Sequence, residues 1–400
     1  MMMSIQQGIL PPKLQEAIET IIKNEDFIHF HIDVKELEMD SSFLGTHREI
    51  NIRGETANGS KELKLFTKTK IDDVITQSTV VDVVSSVSCA YKNENFVYSE
   101  LRRAINEVQE EANIPVGERY TLAKSYYSTD IESVIMENLR EKGFTMCSNL
   151  DVIPLKIAEL AIQRLAQFHS FAFVLKEKRP KFFENKVKKM KQPFHHGTKP
   201  FNEFLKGFSE ISINSMKPEQ KKRLQEYFPT TYDKYEKYTQ DPAGVWTLVH
   251  GDFRVSNVMV KYHDGEASEV IPVDYQLSYY GCSIVDFIYF IFCSTDQEFR
   301  KNHLVHLKNL YYLSMKNFLR LFYMEIEQYY PRAEFERLYK ERLDYGLMMT
   351  LWVLPIILTK KDEASDAISK DLPKTDTKLN VFVQKRLSDI VDDYINWGYI

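Results

Sequence analysis

The sequence predicts an α+β protein of two lobes, with a strand-rich first third and a mostly helical remainder joined near residue 140. Two periodicities predict it. Within residues 42–70, Leu63, Leu65 and Thr67 alternate with Lys64, Phe66 and Lys68, the two-residue period of a strand. Beyond residue 154, apolar side chains return at three- and four-residue steps, as in Ile157, Leu160, Ala161, Leu165 and Phe168. Two lobes imply a cleft, and clefts between lobes bind ligands.

The elements follow in order. Residues 13–38 suggest a helix followed by a polar segment. Residues 42–70 suggest two strands, the first carrying Phe43, Ile50 and Ile52, with the turn at GETANGS (54–60). Residues 94–112 suggest a helix striped by Val97, Leu101, Ile105 and Val108. SVIMENL (133–139) is a short apolar strand entering a polar connection, and Glu141, Lys142 and Gly143 break the pattern. A helix over 154–175 follows, with Pro154 suited to its first turn. Residues 176–245 are helical, charged and aromatic by turns. Residues 176–191 hold eight basic and two acidic side chains, which suit a solvated helix face better than an anionic partner. Further helices are expected over 301–325, 332–356 and 379–396, with a surface loop over 360–378.

Bulk composition narrows the function classes. Four hundred residues make one large domain or two modest ones, and 44% hydrophobic content supports a core. A net charge of −5 argues against a general nucleic-acid binder. The four cysteines form no CxxC pair, which fits a reducing compartment. The first residues lack the charged-then-apolar order of a signal peptide. The most apolar run, 284–293, is too short for a bilayer and contains Asp286. A soluble cytoplasmic protein with no membrane and no nucleic-acid partner is the expectation.

Residues 248–275, LVHGDFRVSNVMVKYHDGEASEVIPVDY, carry the chemistry. His250-Gly251-Asp252 precedes Asn257 by four intervening residues, and Asp274 closes the next strand. Residues 258–262 and 269–273 read as strands, and Asp264-Gly265 is a strong turn signal. A hairpin centred on Gly265–Glu266 sets Asn257 opposite Asp274, where facing Cβ atoms lie roughly 4.5–5.5 Å apart. Two such hard oxygen donors suit Mg²⁺, which keeps several waters and takes further ligands from phosphates. The order His-x-Asp, four residues, Asn, then Asp is the phosphoryl-transfer layout of kinase-like folds. In it Asp252 acts on the attacking hydroxyl, and Asn257 and Asp274 hold the metal.

LVHGDFRVSNVMVKY and VIPVDYQLSYYGCSIVDFIYFIF resemble the ecdysteroid kinase-like family of insects and related animals, within the aminoglycoside- and choline-kinase-like group. The resemblance runs from about residue 40 to the C-terminus and is most specific over 248–292. It implies a protein-kinase-like two-lobed fold, with residues 1–139 as the nucleotide-binding lobe and 140–400 as the catalytic, acceptor-binding lobe. It also implies ATP in the cleft and a small-molecule hydroxyl as acceptor, an ecdysteroid or a hydroxylated xenobiotic undergoing detoxification; a monomer is the expectation. Lys68, which on residues alone reads as a solvent-facing strand lysine, resembles the family's nucleotide lysine, and Glu100 the helix glutamate that pairs with it. Glu137, Asn138 and Leu139 resemble the hinge whose backbone meets the adenine edge. His169 matches a family position and is expected to be structural. His250 is expected to brace the loop and Asp286 to tie it down, while the role of Gln276 is open. The stretch MDSSFLGTHR (39–48) holds only Gly45, a departure from the glycine-rich phosphate loop of protein kinases. A choline- or aminoglycoside-like kinase is a competing reading, although no dense acidic cluster beyond the metal ligands is evident. A pseudokinase that keeps the fold without turnover is another.

Overall fold

The computed structural model describes residues 10–37, 45–70, 86–127, 132–147, 152–195, 197–240, 244–357 and 379–400. The N-terminal nine residues, most of the 39–48 stretch and the surface loop expected over 360–378 lie outside them.

The first lobe is an antiparallel sheet under one helix. Helix α1 (Pro12–Asn24) buries Leu14, Ala17, Ile18, Ile21 and Ile22, the three- and four-residue stripe of an amphipathic helix. Strands β1 (His29–Leu37), β2 (Thr46–Thr56), β3 (Gly59–Thr69), β4 (Ser125–Tyr127) and β5 (Ser133–Glu137) form one sheet in the order β1-β2-β3-β5-β4. Ile50, Ile52, Leu63, Leu65 and Ile135 pack with α1 in a small core of their own. Full burial of such a side chain is worth roughly 1.5–3 kcal/mol, so this patch fixes the helix on one face of the sheet. By strand alternation Phe66 and Lys68 stand on the other face, and Phe66 packs into the main core. Strand β1 replaces the polar segment expected there. Phe30, Ile32 and Val34 do alternate, but they lie on an edge strand and are only half-buried, so the pattern is diluted by charged neighbours.

The helix expected over 94–112 begins earlier and is interrupted. Its parts are Val87–Phe96, a π turn Val97–Leu101 and Arg102–Glu111. After β5, a 3-10 turn Leu139–Lys142 closes with Gly143 in the left-handed region.

The second lobe is mostly helical. Helix Leu155–Lys178 packs along Gln297–Arg320, and Ile284–Ser294 along Tyr345–Ile357. Two small sheets carry the loops of interest: β6 (Phe144–Met146), β8 (Val258–His263) and β9 (Glu266–Pro272), and the pair β7 (Trp246–Val249) with β10 (Tyr279–Cys282). The single helix expected over 332–356 is two, Arg332–Arg342 and Tyr345–Ile357. Side chains from elsewhere bond to the carbonyls at the break in addition to its backbone donors: Tyr394 donates to Leu343 O at 2.6 Å and Tyr227 to Asp344 O at 3.2 Å. No sequence period signals such long-range capture.

No described helix is long and apolar enough to cross a membrane. Three of the eight basic residues of the 176–191 run form ion pairs, Arg179 with Glu111, Lys186 with Glu100 and Lys188 with Glu184.

Candidate active site

The loop after β7 is built around a buried carboxylate. Asp286, in the first turn of Ile284–Ser294, accepts from His250 N at 2.6 Å, Gly251 N at 3.0 Å and His169 Nε2 at 3.1 Å. Tyr311 Oη lies 2.6 Å from the other nitrogen of His169. A buried carboxylate needs such partners, and both residues take the structural roles expected of them. Gly251 has φ 85°, and a Cβ there would meet Leu277 O at 2.2 Å, so this link of His-Gly-Asp admits only glycine. His250 donates Nε2–H to Val273 O at 3.1 Å, and its Nδ1 accepts from Asp252 N at 3.4 Å. Burial holds its pKa below the ordinary value against the pull of Asp286 and Asp252. A neutral ring bracing the loop fits both facts.

This scaffold presents Asp252. Its Oδ1 accepts from Tyr289 OH at 2.7 Å and its Oδ2 from Asn257 Nδ2 at 2.9 Å, while Arg254 Nε reaches both oxygens at 3.1 and 3.2 Å. Arg254 and Tyr289 were not anticipated, yet both have a signal. Arg254 is in extended backbone two residues past Asp252, and such residues share a side. Tyr289 lies three residues past Asp286 on a helix, so it shares the face that meets the loop.

The hairpin carries Asn257 and Asp274, with a register one step from the expected one. Val258 pairs with Pro272 and Lys261 with Glu269, a bulge follows at Tyr262, and His263 pairs with Glu266. The turn is Asp264–Gly265, both with positive φ (52° and 82°), so its centre lies one residue earlier than expected, and the bulge offsets only part of that shift. Asn257 O therefore accepts from Val273 N at 2.9 Å, and Asp274 is one residue beyond the opposing position. Asp274 leaves the strand with φ 68°, its N–H donating to Tyr98 OH at 3.2 Å. Asn257 spends its Nδ2 on Asp252, on the main-chain O at 2.8 Å as well as on Oδ2, which leaves its Oδ1 as the atom for a hard cation. Asp274 gives Oδ1 to Lys68 and has a second oxygen left. These two oxygens are hard donors of the kind Mg²⁺ takes, so Asn257 and Asp274 would suit it.

Lys68 is where the sequence reading needs correction. Its Nζ lies 2.9 Å from Asp274 Oδ1 and 3.3 Å from Glu94 Oε2. Glu100 instead pairs with Lys186 at 3.0 Å on the surface. Glu94 stands three residues before Val97 and seven before Leu101, on the buried stripe, whereas Glu100 is one residue off it. The stripe was read correctly and the expected helix included Glu94, but the pairing role was given to Glu100, which lies off the stripe. Burial works against the Lys68 ammonium, but Asp274 and Glu94 outweigh it and raise its pKa. Burial likewise opposes the Asp274 anion, and Lys68 still draws its pKa below the usual value. The Glu94 carboxyl is pushed up to about 7, burial outweighing Lys68 and Asp274 adding repulsion.

A stability prediction follows from Glu94. Its pKa is higher in the folded chain than in the unfolded one, so its stabilising contribution is complete below about pH 4.5 and is lost as pH rises through about 7. Glu94→Gln should reduce the drop in unfolding free energy between pH 5 and pH 8 by on the order of 2 kcal/mol, measured by urea unfolding. Glu100→Gln removes one exposed pair and should leave that drop within a few tenths of a kcal/mol of the original. Equal effects from the two would contradict the assignment.

At Glu137–Leu139, the expected hinge, side chains and most backbone groups are engaged within the protein. Glu137 accepts from Lys124 N at 2.9 Å, and Asn138 caps the 3-10 turn through Arg140 N at 3.1 Å and donates to Glu49 at 3.1 Å. Asn138 N donates to Lys64 O at 3.1 Å. Leu139 is buried and opens the turn, where its N–H is one of the orphan donors of a helix start. Gln276, two residues past Asp274, is buried, and among the described residues its Nε2 has no hydrogen-bond partner.

Comparison with known proteins places these residues in a family. A search of the curated proteins finds no match. Among solved structures, GDP complexes of aminoglycoside 2′-phosphotransferase-IIIa, a point mutant and the wild type, are similar at 10% and 11% identity, each with TM-score 0.43 over 96% of this chain and 97% and 99% of theirs. The GDP and kanamycin complex of APH(2″)-IIia is similar at 12% identity and TM-score 0.39, over 84% of this chain and 98% of that one. Likenesses this loose carry no conclusion. The family comparison does: the profile of the ecdysteroid kinase-like family matches residues 43–324, well over half of the chain. The chain belongs to the ecdysteroid kinase-like family, and it is a phosphotransferase that acts on a hydroxyl group of a small molecule.

Proposed function

We propose that the protein transfers the γ-phosphoryl group of ATP, bound as its Mg²⁺ complex, to a hydroxyl of a lipophilic acceptor, an ecdysteroid or a hydroxylated xenobiotic. One observation carries the reading. The Asp252 and Asp274 side chains remain 18% and 35% exposed, while Arg254 and Lys68, which hold them, are each only 7% exposed. Two partly exposed carboxylates, each paired with a buried cation, suit phosphoryl transfer, where positioning and charge neutralisation dominate.

Residues 1–139 then form the nucleotide lobe and 140–400 the catalytic lobe. Leu139 N–H meets the base edge from the Glu137–Asn138–Leu139 hinge. Lys68, fixed by Glu94, pairs with the phosphates. Asn257 and Asp274 hold the Mg²⁺, which when bound neutralises phosphate charge. Asp252 accepts the hydrogen bond of the acceptor hydroxyl and finally its proton. The four cysteines are free, which suits a cytoplasm rich in ATP.

The test is release of ADP from purified protein with Mg²⁺·ATP and a panel of hydroxylated steroids and plant alcohols. Acceptor-dependent release with a steroid or alcohol supports the reading. Release stimulated only by choline or an aminoglycoside moves the acceptor class, and binding of Mg²⁺·ATP with no release from any acceptor favours a binding protein that keeps the fold.

A further inference from the structure

We propose that Arg254 is a γ-phosphoryl-sensing latch on Asp252: it holds the catalytic carboxylate until the nucleotide arrives, then moves onto the transferring phosphoryl group and leaves Asp252 free for the acceptor hydroxyl. The proposal rests on the kinase reading above.

The argument begins with lone pairs. A carboxylate offers about four acceptor positions. Asp252 fills them with Tyr289 OH and Arg254 Nε on Oδ1, and Asn257 Nδ2 and the same Arg254 Nε on Oδ2. An incoming hydroxyl needs one of these places, so one donor must leave. Asn257 is also tied to Asp252 main-chain O at 2.8 Å, and its departure would open the loop. Tyr289 is buried in the helix Ile284–Ser294 and makes the shortest bond, 2.7 Å. Arg254 makes the longest two, 3.1 and 3.2 Å, through a side chain with several rotatable bonds.

The destination is set by charge. Burial disfavours the Arg254 guanidinium, and it is held charged by Asp252 first and by Asp274 as well, so it sits within the field of both carboxylates. A phosphoryl group bound by the Asp274 side comes within the same field. It carries more negative charge than one carboxylate, and its oxygens match the guanidinium fork. Ser256 Oγ, hydrogen-bonded to another Arg254 nitrogen, anchors the opposite end of the group.

The transfer step then balances. The acceptor oxygen forms its bond to the γ-phosphorus as the bond from that phosphorus to the bridging oxygen breaks. ADP departs with the electron pair, the hydroxyl proton passes to the freed Asp252 oxygen, and Arg254 holds the charge on the transferring group. Nucleotide must therefore bind before the acceptor can engage Asp252.

The test uses the full chain and does not need the natural acceptor. Mg²⁺·ADP and Mg²⁺·AMP-PNP, which differ in the γ-phosphoryl group, are titrated by calorimetry into the unaltered protein, Arg254→Met and Arg254→Lys. The Met variant should lose about tenfold in affinity for Mg²⁺·AMP-PNP and nothing for Mg²⁺·ADP, a loss typical of a charged hydrogen bond, while the Lys variant recovers part of it. A purely structural Arg254 would weaken both nucleotides alike, which overturns the proposal, as does unchanged AMP-PNP affinity. A crystal structure of the Mg²⁺·AMP-PNP complex gives a second readout that no variant can obscure by misfolding. Arg254 on the γ-phosphoryl and beyond hydrogen-bond distance of Asp252 is expected, and Arg254 still on Asp252 overturns the latch. If the unaltered protein binds neither nucleotide, it is the kinase reading that fails, and the latch with it.

Discussion

Asp252→Asn should lower turnover by about 10²–10⁴-fold, the span of a lost general base, while Mg²⁺·ATP binds nearly as tightly as before. The substitution preserves shape and removes proton affinity. It also disturbs the local network, because the carboxylate now accepts from Tyr289, Asn257 and Arg254, all donors. An amide nitrogen must face one of them, which leaves a buried donor unpaired at a cost of about 1–3 kcal/mol. The stability loss should therefore be visible in a thermal melt, yet too small to unfold the protein. Nucleotide affinity and turnover, measured separately, decide the matter. A parallel loss of Mg²⁺·ATP binding would show that Asp252 belongs to the nucleotide site and not to the acceptor side.

Asp274→Asn should do the opposite, abolishing tight Mg²⁺·ATP binding, with affinity down by at least 10–100-fold, the loss typical of even indirect changes to a metal site. Asp274 is the more exposed of the two carboxylates and is drawn below the usual pKa range by Lys68 despite burial. It is therefore ionised at neutral pH and available to a cation. Its removal also leaves Lys68 with Glu94 alone, 3.3 Å away. The Glu94 carboxyl, relieved of repulsion from Asp274, should ionise more readily, so the remaining pair survives and the fold with it. Calorimetric titration of Mg²⁺·ATP checks the affinity and urea unfolding checks the fold. Retained affinity together with lost turnover would reverse the roles assigned to Asp252 and Asp274.

The split between what was legible and what was not follows a physical line. His250, Asp252, Asn257, Asp274 and Asp286 were readable because they sit within one short stretch, where covalent connection fixes their spacing and hairpin and helix periodicity fix their faces. Even there the turn lies one residue earlier than expected, and a bulge at Tyr262 offsets only part of that, so Asn257 misses Asp274 by one position; bulges depend on local strain that composition does not encode. The apolar strand running into Glu137, Asn138 and Leu139 was legible as well. Strand β1 was not, because an edge strand buries its apolar face only in part and its alternation is weak.

The sequence by itself determined the α+β class, the strand-to-helix order and the family's motif residues, since each depends on local period and short spacing. Only the tertiary structure decided the partner of Lys68, the donors around Asp252 and the break at Leu343–Asp344. Lys68 meets Glu94 and Asp274 across separations of 26 and 206 residues. Over such distances the choice between Glu94 and Glu100 is made by which carboxylate the packed core leaves without water, and burial of that kind is a property of the assembled fold.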